Sequence, residues 1–302
     1  MKLAAVDIGS NAIRMQVTNV IEYDNDVVFK KLEYIRFPLR LGHDVFSQGQ
    51  ISEKTSLKFI KLMKAFKLFI DLYEVDDYMA CATSAMREAS NGEELKKKVK
   101  EETGLEISII EGDTEAELVN RAVNTHITDA PFLHIDVGGG STELNVYLQR
   151  EKVASRSFRL GGVRRLDKKD SPEVWKEMKA WIEEKIPTRS QKITALGTGG
   201  NISKIFELSG IKKGKKLSYE KAQEVVERLS QLTLEERIFK LQLNHDRADV
   251  IIPASEIYLG AMKAAHARYI IVPDVGLKDG VMHYLFEKNR HRIAPYIVKS
   301  GW

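Results

Sequence analysis

The chain has 302 residues, of which 43% are hydrophobic and 30% are charged, and its formal net charge is +4. This size and composition predict one large or two medium globular domains, and so weak a positive charge argues for neither a nucleic-acid nor a membrane partner. The single cysteine, Cys81, excludes an intrachain disulfide and a cysteine-rich zinc site. No signal-peptide layout or apolar run of about 18 residues is present, so we expect a cytoplasmic protein.

The chain begins with an apolar strand that ends in an acid and a glycine turn. Residues 3–6 are apolar, Asp7 follows, and Gly9, Ser10 and Asn11 precede a second apolar stretch that starts at Ile13. A glycine turn lets the backbone approach a ligand closely, and its N–H groups can point at an anion. The pattern therefore predicts a β-hairpin whose turn contacts a charged group.

Strand and helix patterns alternate between residues 27 and 118. We expect strands at 27–37, 78–82 and 107–110, a segment at 39–46 that leads into a loop, and helices after Ser52, after Thr83 and over 93–103. Arg87 falls on the first turn of the second of these helices, where the helix N-terminus attracts anions. A further helix begins within 111–118, and the residues alone do not select a catalytic acid among Glu111, Asp113, Glu115 and Glu117.

A second hairpin repeats the plan of the first. An apolar strand at 132–137 contains Asp136 and leads into three glycines at 138–140, then Ser141 and Glu143. Divalent cations prefer carboxylate oxygens, so Asp136 and Glu143 are candidate ligands. Asp7 and Asp136 lie 129 residues apart, and both precede a glycine and a hydroxyl side chain. This order predicts two related domains that present their turns to a shared cleft; the alternative is two unrelated hairpins with acidic turns.

The rest of the chain contains a third strand that enters a glycine turn, at residues 193–201. Before it we expect a strand at 153–158 and a basic turn at 160–169. After it we expect helices at 219–229, 234–239 and 255–269, a strand at 270–272, a turn at 276–280 and a last helix near 281–288. The histidines show no metal-ligand spacing, and no serine-hydrolase elbow or nucleic-acid module is present.

Several of these segments together resemble one known family. The segments are VDIGSN at 6–11, TSAMREASN at 83–91, EGDTEA at 111–116, IDVGGGSTE at 135–143, LGGVRRL at 160–166, GTGGN at 197–201 and GLKDG at 276–280. They resemble motifs of the Ppx/GppA family of exopolyphosphatases and guanosine pentaphosphate phosphohydrolases, within the actin, Hsp70 and sugar-kinase superfamily. The sequence departs from the family pattern at Glu111, Thr114 and Asn201, where Ser, Glu and Thr are usual.

The resemblance implies an α/β fold of two actin-like (ribonuclease H-like) domains with a cleft between them. The N-terminal domain is expected over residues 1–125 and the C-terminal domain over residues 126–302. The last helix, about 281–302, is expected to pack back on the first domain. Long family members carry an extra C-terminal helical region, and this chain ends at Trp302 without room for it, so we expect a short-form member.

The resemblance also implies the residues of a phosphohydrolase site. Aligning Gly112 and Ala116 with the family pattern places the general base at Glu115. The expected ligands for Mg²⁺, or for another divalent cation, are Asp7, Asp136 and Glu143. The expected substrate-phosphate ligands are Ser10, Asn11, Arg87, Gly138, Gly139, Gly140, Ser141 and Gly199. Candidates for a polyphosphate channel, with an ordinary solvated surface as the equal alternative, are Arg40, Arg164, Arg165, Lys168 and Lys169.

The implied reaction is Mg²⁺-dependent release of terminal orthophosphate from inorganic polyphosphate. Guanosine pentaphosphate (pppGpp) is the alternative substrate, and an ATP-dependent kinase or ATPase on the same fold is a further enzymatic alternative. The alternative of another class is a sensor that binds polyphosphate or nucleotide without turnover. We therefore expect polyphosphate or guanosine polyphosphate as partner, no nucleic acid and no membrane, with a homodimer as a further alternative.

Overall fold

The computed structural model describes residues 1–24, 26–186 and 193–292, which form two β-sheets covered by helices. The first sheet contains β1 (Lys2–Ile8), β2 (Ile13–Tyr23), β3 (Asp26–Phe37), β4 (Asp77–Ala82) and β5 (Ile107–Ile109). The second sheet contains β6 (Phe132–Val137), β7 (Thr142–Leu148), β8 (Glu151–Phe158), β9 (Thr194–Thr198), β10 (Leu217–Ser218) and β11 (Tyr269–Ile271).

The two sheets share one topology. The strand orders are β3-β2-β1-β4-β5 and β10-β11-β9-β6-β7-β8. In each sheet three consecutive strands pair antiparallel, β1-β2-β3 and β6-β7-β8, and a later strand then pairs parallel with the first of the three. This repeat confirms the prediction of an α/β fold built from two related halves.

Helices cover both sheets. In the first half they are α1 (Leu41–Gln48), α2 (Glu53–Leu72), α3 (Ser84–Glu88), α4 (Gly92–Thr103) and α5 (Gly112–Val123). In the second half they are α6 (Gly162–Leu166), α7 (Pro172–Lys185), α8 (Gly200–Leu208), α9 (Tyr219–Ser230), α10 (Leu234–Leu241), α11 (His245–Ala248), α12 (Ile251–Ala264) and α13 (Leu277–Asn289). Short 3₁₀ segments occur at Asn124–His126 and Arg290–Arg292.

Local chemistry explains where α2 begins and which face it buries. The Ser52 side chain accepts a hydrogen bond from the Thr55 N–H and so satisfies one of the free donors of the first turn. The buried side chains recur every three or four residues and pack on the first sheet: Phe59, Met63, Phe66 and Ile70. These residues are thus the core face of the helix that was predicted after Ser52.

Helices α5 and α13 lie between the two sheets. Val119 of α5 and Val281 of α13 belong to a core that includes Ala5 of β1, Cys81 of β4 and Phe132 of β6. Helix α13 packs on β1, β2 and β4 of the first sheet, and α5 packs on β7 and β8 of the second. The predicted domain boundary at 125/126 falls inside the 3₁₀ segment Asn124–His126, and the domain bounds stay a prediction. Residues 293–302, which were predicted to continue the last helix, lie outside the described residues.

The structure differs from the local predictions at three places. Residues 39–46, which were predicted to lead into a loop, contain most of α1, which begins at Leu41. The predicted helix at 255–269 spans Ile251–Ala264 instead. Pro253 is tolerated in its first turn, because a backbone N–H at that position would have no partner within the helix. The predicted turn at 276–280 is the start of α13, where the Gly276 N–H donates to Asp279 Oδ2 over 2.9 Å.

Candidate active site

Glycine turns from both halves meet at the cleft. A Cβ atom on Gly139, after β6, would lie 2.8 Å from the Cβ of Ser10, after β1. A Cβ on Gly161 would lie 2.5 Å from the backbone of Gly139. The three backbone segments pack together only because these glycines have no side chains. The hydroxyls of Ser10 and Ser84 lie 2.8 Å apart, which joins the start of α3 to the same wall.

The cleft brings together most of the predicted site residues. Those that line it are Asp7, Ser10, Asn11, Glu115, Asp136, Gly138, Gly139, Ser141 and Gly199. Gly140 lies behind this lining, against Phe46 and Ser84. Glu143 is buried beneath it, and its Oε1 accepts a hydrogen bond from Ser157 Oγ over 2.9 Å. These positions agree with a shared site, and the role of each residue stays a prediction.

Three buried carboxyl groups in this cleft have raised pKa values, in part because of the charges of their neighbours. Burial raises the pKa of Glu115 well above its usual value, and the charges of Glu143, Asp136 and Asp7 raise it further. Burial also raises the pKa of Asp136 to about 6, a shift that the neighbouring Thr198 hydroxyl opposes and the charge of Asp7 increases. Burial and the charge of Asp136 raise the pKa of Glu143. A raised pKa means that the ionised carboxylate is destabilised in the folded protein. A cation bound among these carboxylates would therefore stabilise their ionised forms.

The donor set suits a hard divalent cation. Glu115 Oε2 is buried and has no hydrogen-bond partner among the described residues, so one oxygen is free to meet a water or a cation. Asp7, however, already accepts a hydrogen bond of 2.8 Å from Arg14 Nη1. Within residues 1–24, 26–186 and 193–292, no three His, Cys, Asp or Glu side chains form a ready-made metal cage. Mg²⁺ typically takes one or two carboxylates and completes its shell with water and substrate phosphates, which this arrangement allows.

Arg87 does not line the cleft. Its Nη1 donates to the Ile110 carbonyl oxygen over 2.6 Å, and its Nε lies 3.5 Å from Glu111 Oε2. Glu111 is thus a partner of Arg87 at the position where the family pattern has Ser. The positive charge of Arg87 still lowers the pKa values of Glu115 and Glu143, which places the guanidinium beside the acidic cluster. Its predicted contact with substrate phosphate would require this side chain to turn.

Three of the five candidate channel residues are engaged in ion pairs. Arg40 Nη1 contacts Asp249 Oδ2 at 2.6 Å. Arg164 is buried, with Nη2 2.6 Å from Glu88 Oε1 and its guanidinium 4.0 Å from the ring centroid of Phe46. Arg165 contacts Asp170 at 2.8 Å and Glu256 at 2.6 Å. Lys168 and Lys169 are exposed and lie outside the cleft lining. Three of these cations are therefore already paired with carboxylates, and the polyphosphate channel stays a prediction.

The cleft contains further side chains that the sequence motifs did not single out: Arg14, Tyr34, Arg36, Arg247 and Lys278. Arg36 pairs with Asp246, and Arg247 donates to the Gly200 carbonyl oxygen. Burial lowers the pKa of Arg247, and the charges of Arg36 and Arg14 lower it further. A signal existed for Arg14, which pairs with Asp7 in the β1–β2 register, and for Lys278, which lies in the GLKDG segment at 276–280. Tyr34 and Arg36 come from β3 and Arg247 comes from α11, and no spacing connects them.

Cys81 lies beneath the acidic cluster. The side chain is fully buried, and burial raises the pKa of its thiol to about 12, with Asp7 and Glu115 adding to the shift. The thiolate is the reactive form, and a rise from 9.0 to about 12 lowers its fraction about a thousandfold. We expect iodoacetamide at pH 8 to label Cys81 only after denaturation, as measured by mass spectrometry. Rapid labelling of the folded protein would contradict this environment.

No helix among the described residues is long and apolar enough to span a membrane.

The related halves, glycine turns and buried carboxylates define the class of two-domain α/β phosphohydrolases. The chain belongs to the Ppx/GppA phosphatase family, whose family model matches residues 20–289. Membership identifies it as an enzyme that hydrolyses phosphoanhydride bonds.

Solved structures agree with this assignment. An exopolyphosphatase from Cytophaga hutchinsonii superimposes with a TM-score of 0.83 at 23% identity, covering 95% of this chain and 98% of that one. A Ppx/GppA family member from Aquifex aeolicus gives a TM-score of 0.74 at 26% identity, covering 96% of this chain and 99% of that one. These similarities confirm the predicted fold of two actin-like α/β domains.

Proteins with similar sequences include an exopolyphosphatase and a bifunctional synthase/phosphatase. Exopolyphosphatase 1 of Mycobacterium tuberculosis is 23% identical over 305 residues, which cover 93% of this chain and 87% of that protein. A bifunctional 3-dehydroquinate synthase/phosphatase of Fusobacterium nucleatum is 31% identical over 172 residues, covering 55% of this chain. The match spans only 26% of that longer protein.

Proposed function

We propose that the chain is an exopolyphosphatase that releases terminal orthophosphate from inorganic polyphosphate, with Glu115 as the general base. One observation carries the proposal: Glu115 lines a cleft together with the glycine turns and acids of both halves. The family and the exopolyphosphatase among the sequence relatives support the reaction class. Phosphoryl transfer depends mainly on positioning and on neutralising charge, which turns and clustered ionic groups can supply.

The proposed step is direct attack of water on the terminal phosphorus. As the water oxygen forms the new P–O bond, Glu115 accepts its proton. The bond from the terminal phosphorus to the bridging oxygen breaks, and its electron pair leaves with the shortened chain. The products are orthophosphate and a chain one unit shorter, and the proton on Glu115 returns to solvent. The raised pKa of Glu115 suits this role, because a general base works best when its pKa approaches the working pH.

We further propose that Asp7, Asp136 and Glu143 hold Mg²⁺, directly or through water. When bound, the cation supplies positive charge that offsets the repulsion among the carboxylates and neutralises phosphate oxygens. The clustering of these carboxylates, whose charges raise the pKa of the neighbouring Glu115, supports this assignment. Arg14 Nη1 already donates to Asp7 Oδ2, so Oδ1 would be the oxygen that Asp7 offers to the cation.

One observation favours pppGpp as a second candidate substrate. Tyr34 lines the cleft with 39% of its surface exposed, and Lys278 Nζ lies 5.8 Å from its ring centroid. Aromatic rings stack well on nucleic-acid bases, whereas a polyphosphate chain has no base to stack. We therefore expect Tyr34→Leu to weaken turnover of pppGpp selectively if the guanine binds there, and to leave turnover of polyphosphate unchanged.

The test is phosphate release, with Mg²⁺, from long-chain polyphosphate, pppGpp and ATP in parallel. We expect release from polyphosphate. Release from pppGpp alone would replace polyphosphate as the substrate. Transfer of phosphate from ATP to an acceptor would assign a kinase instead. Binding of polyphosphate by calorimetry with no release from any substrate would assign a sensor and overturn the proposal.

A further inference from the structure

A row of polar side chains runs from the exposed Ser155 into the interior of the second sheet, next to the acidic cluster. His134 of β6 pairs in register with Asn145 of β7, and Asn145 pairs with Ser155 of β8. Asp136 follows His134 by two residues on β6, and its register partner on β9 is Thr198. His134, Asn145 and Thr198 have no exposed surface. Burying polar groups is costly unless each one is hydrogen-bonded, so we expect every buried side chain of this row to have a partner.

The four side chains form one continuous set of hydrogen bonds. Ser155 Oγ donates to Asn145 Oδ1 over 2.8 Å, and Asn145 Nδ2 lies 3.0 Å from His134 Nδ1. His134 Nε2 lies 2.9 Å from Thr198 Oγ1. Thr198 is the register partner of Asp136 across the two parallel strands, so its side chain lies beside that carboxyl group, and its hydroxyl opposes the rise in the pKa of Asp136. The row therefore ends on one of the carboxylates of the cleft.

The direction of this chain follows from the chemistry of its two ends. An ionised carboxylate only accepts, so the Thr198 hydroxyl proton points at Asp136. Thr198 Oγ1 must then accept from His134 Nε2–H, which leaves Nδ1 as an acceptor. The opposite end agrees: because Asn145 Oδ1 accepts from Ser155, the Asn145 amide presents its N–H to Nδ1. Both ends select the same neutral imidazole tautomer.

We propose that His134 is a positioning residue, fixed as the Nε2–H tautomer by Asn145 and Ser155, that orients Asp136 through Thr198. This inference rests on the proposed role of Asp136 in holding Mg²⁺ or substrate. An imidazole ring is rigid and directional, so it allows Thr198 one hydroxyl orientation. Carboxylates that bind metals depend on such partners, and losing one typically costs about 10- to 100-fold in metal affinity or activity.

The first test reads the tautomer of His134 directly. In folded protein with ¹⁵N-labelled histidine, two-bond ¹H–¹⁵N correlation distinguishes the two imidazole tautomers. We expect the proton on Nε2, without added substrate or metal. A proton on Nδ1 would reverse every bond in the row and overturn the proposal. This readout is independent of whether the protein hydrolyses polyphosphate.

The second test measures Mg²⁺ affinity by calorimetry and kcat for Thr198→Val. We expect a loss of about 10- to 100-fold in Mg²⁺ affinity or kcat, and recovery of most of it in Thr198→Ser, which keeps the hydroxyl. A triple variant, His134→Leu with Asn145→Val and Ser155→Ala, removes the row without leaving an orphaned buried donor, and should lose affinity similarly while staying folded.

Thr18→Val is the matched control, because Thr18 is equally buried in the first sheet and bonds only Gln16 in the described contacts. It should lower stability without lowering Mg²⁺ affinity. Unchanged affinity and kcat in both Thr198→Val and the triple variant would reduce the row to core packing. Loss of Mg²⁺ affinity with no turnover of any substrate would instead retain the positioning role and contradict the proposed function.

Discussion

Glu115→Gln is expected to lower kcat for polyphosphate by about 10²–10⁴-fold, the usual contribution of a general base. Glutamine keeps the size and the hydrogen-bonding capacity of the side chain but accepts no proton at working pH. Substrate binding should change little, because the turns at Ser10 and Gly139 lie on other elements of the cleft. Steady-state phosphate release gives kcat, and calorimetry with polyphosphate gives the affinity.

Glu117→Gln is the matched control for this variant. Glu117 lies two residues further along α5, and its side chain is exposed to solvent. It removes the same charge from the same helix without touching the cleft, so kcat should stay within about twofold of the wild-type value. If Glu115→Gln also retains wild-type kcat, Glu115 is not the base.

Gly280→Ala is expected to lower the free energy of unfolding by about 3 kcal/mol, at the upper end of the usual cost of overpacking. Gly280 lies in α13 where that helix crosses α5, and a Cβ there would overlap the backbone carbonyl of Leu118. Alanine favours a helix by about 1 kcal/mol over glycine, but the backbone of α5 cannot rotate away from the added methyl. Urea unfolding monitored by circular dichroism measures the change.

Gly276→Ala tests whether the effect depends on this contact. A Cβ on Gly276 would meet no atom within 4 Å, so the cost should be a few tenths of a kcal/mol. Equal stability of Gly280→Ala and the wild type would mean that α13 and α5 are not packed this closely. A drop of equal size in both variants would point to backbone freedom rather than to the crossing.

The two hairpins could be predicted because their determinants are local. Each has an apolar strand, an acid and glycines within a dozen residues, so Asp7 and Asp136 were placed correctly at the ends of β1 and β6. Glu115 needed the resemblance, because four acids lie within residues 111–117. The structure then separates it from the exposed Glu117 by turning only Glu115 into the cleft.

Long-range partners could not be predicted from local sequence. Arg40 and Arg164 have the charge that a polyphosphate channel requires, but each meets a carboxylate that is distant in sequence, Asp249 and Glu88 respectively. Arg247 lines the cleft although it lies more than 230 residues after Asn11 in the sequence. The Asn11 side chain donates to the backbone carbonyl of Asp246, the residue before Arg247, over 2.8 Å. Such contacts depend on how the two halves pack against each other. Hydrophobic periodicity predicts helices and strands, but it does not predict that packing.

The most direct measurement of the central claim is hydrolysis of polyphosphate in H₂¹⁸O, with mass spectrometry of both products. Attack of water on the terminal phosphorus places the new oxygen on the released phosphate. We therefore expect one ¹⁸O in each orthophosphate and none in the shortened chain. Label in the shortened chain would mean that water attacks the penultimate phosphorus, and unlabelled orthophosphate would exclude direct attack by water; either result would contradict the account.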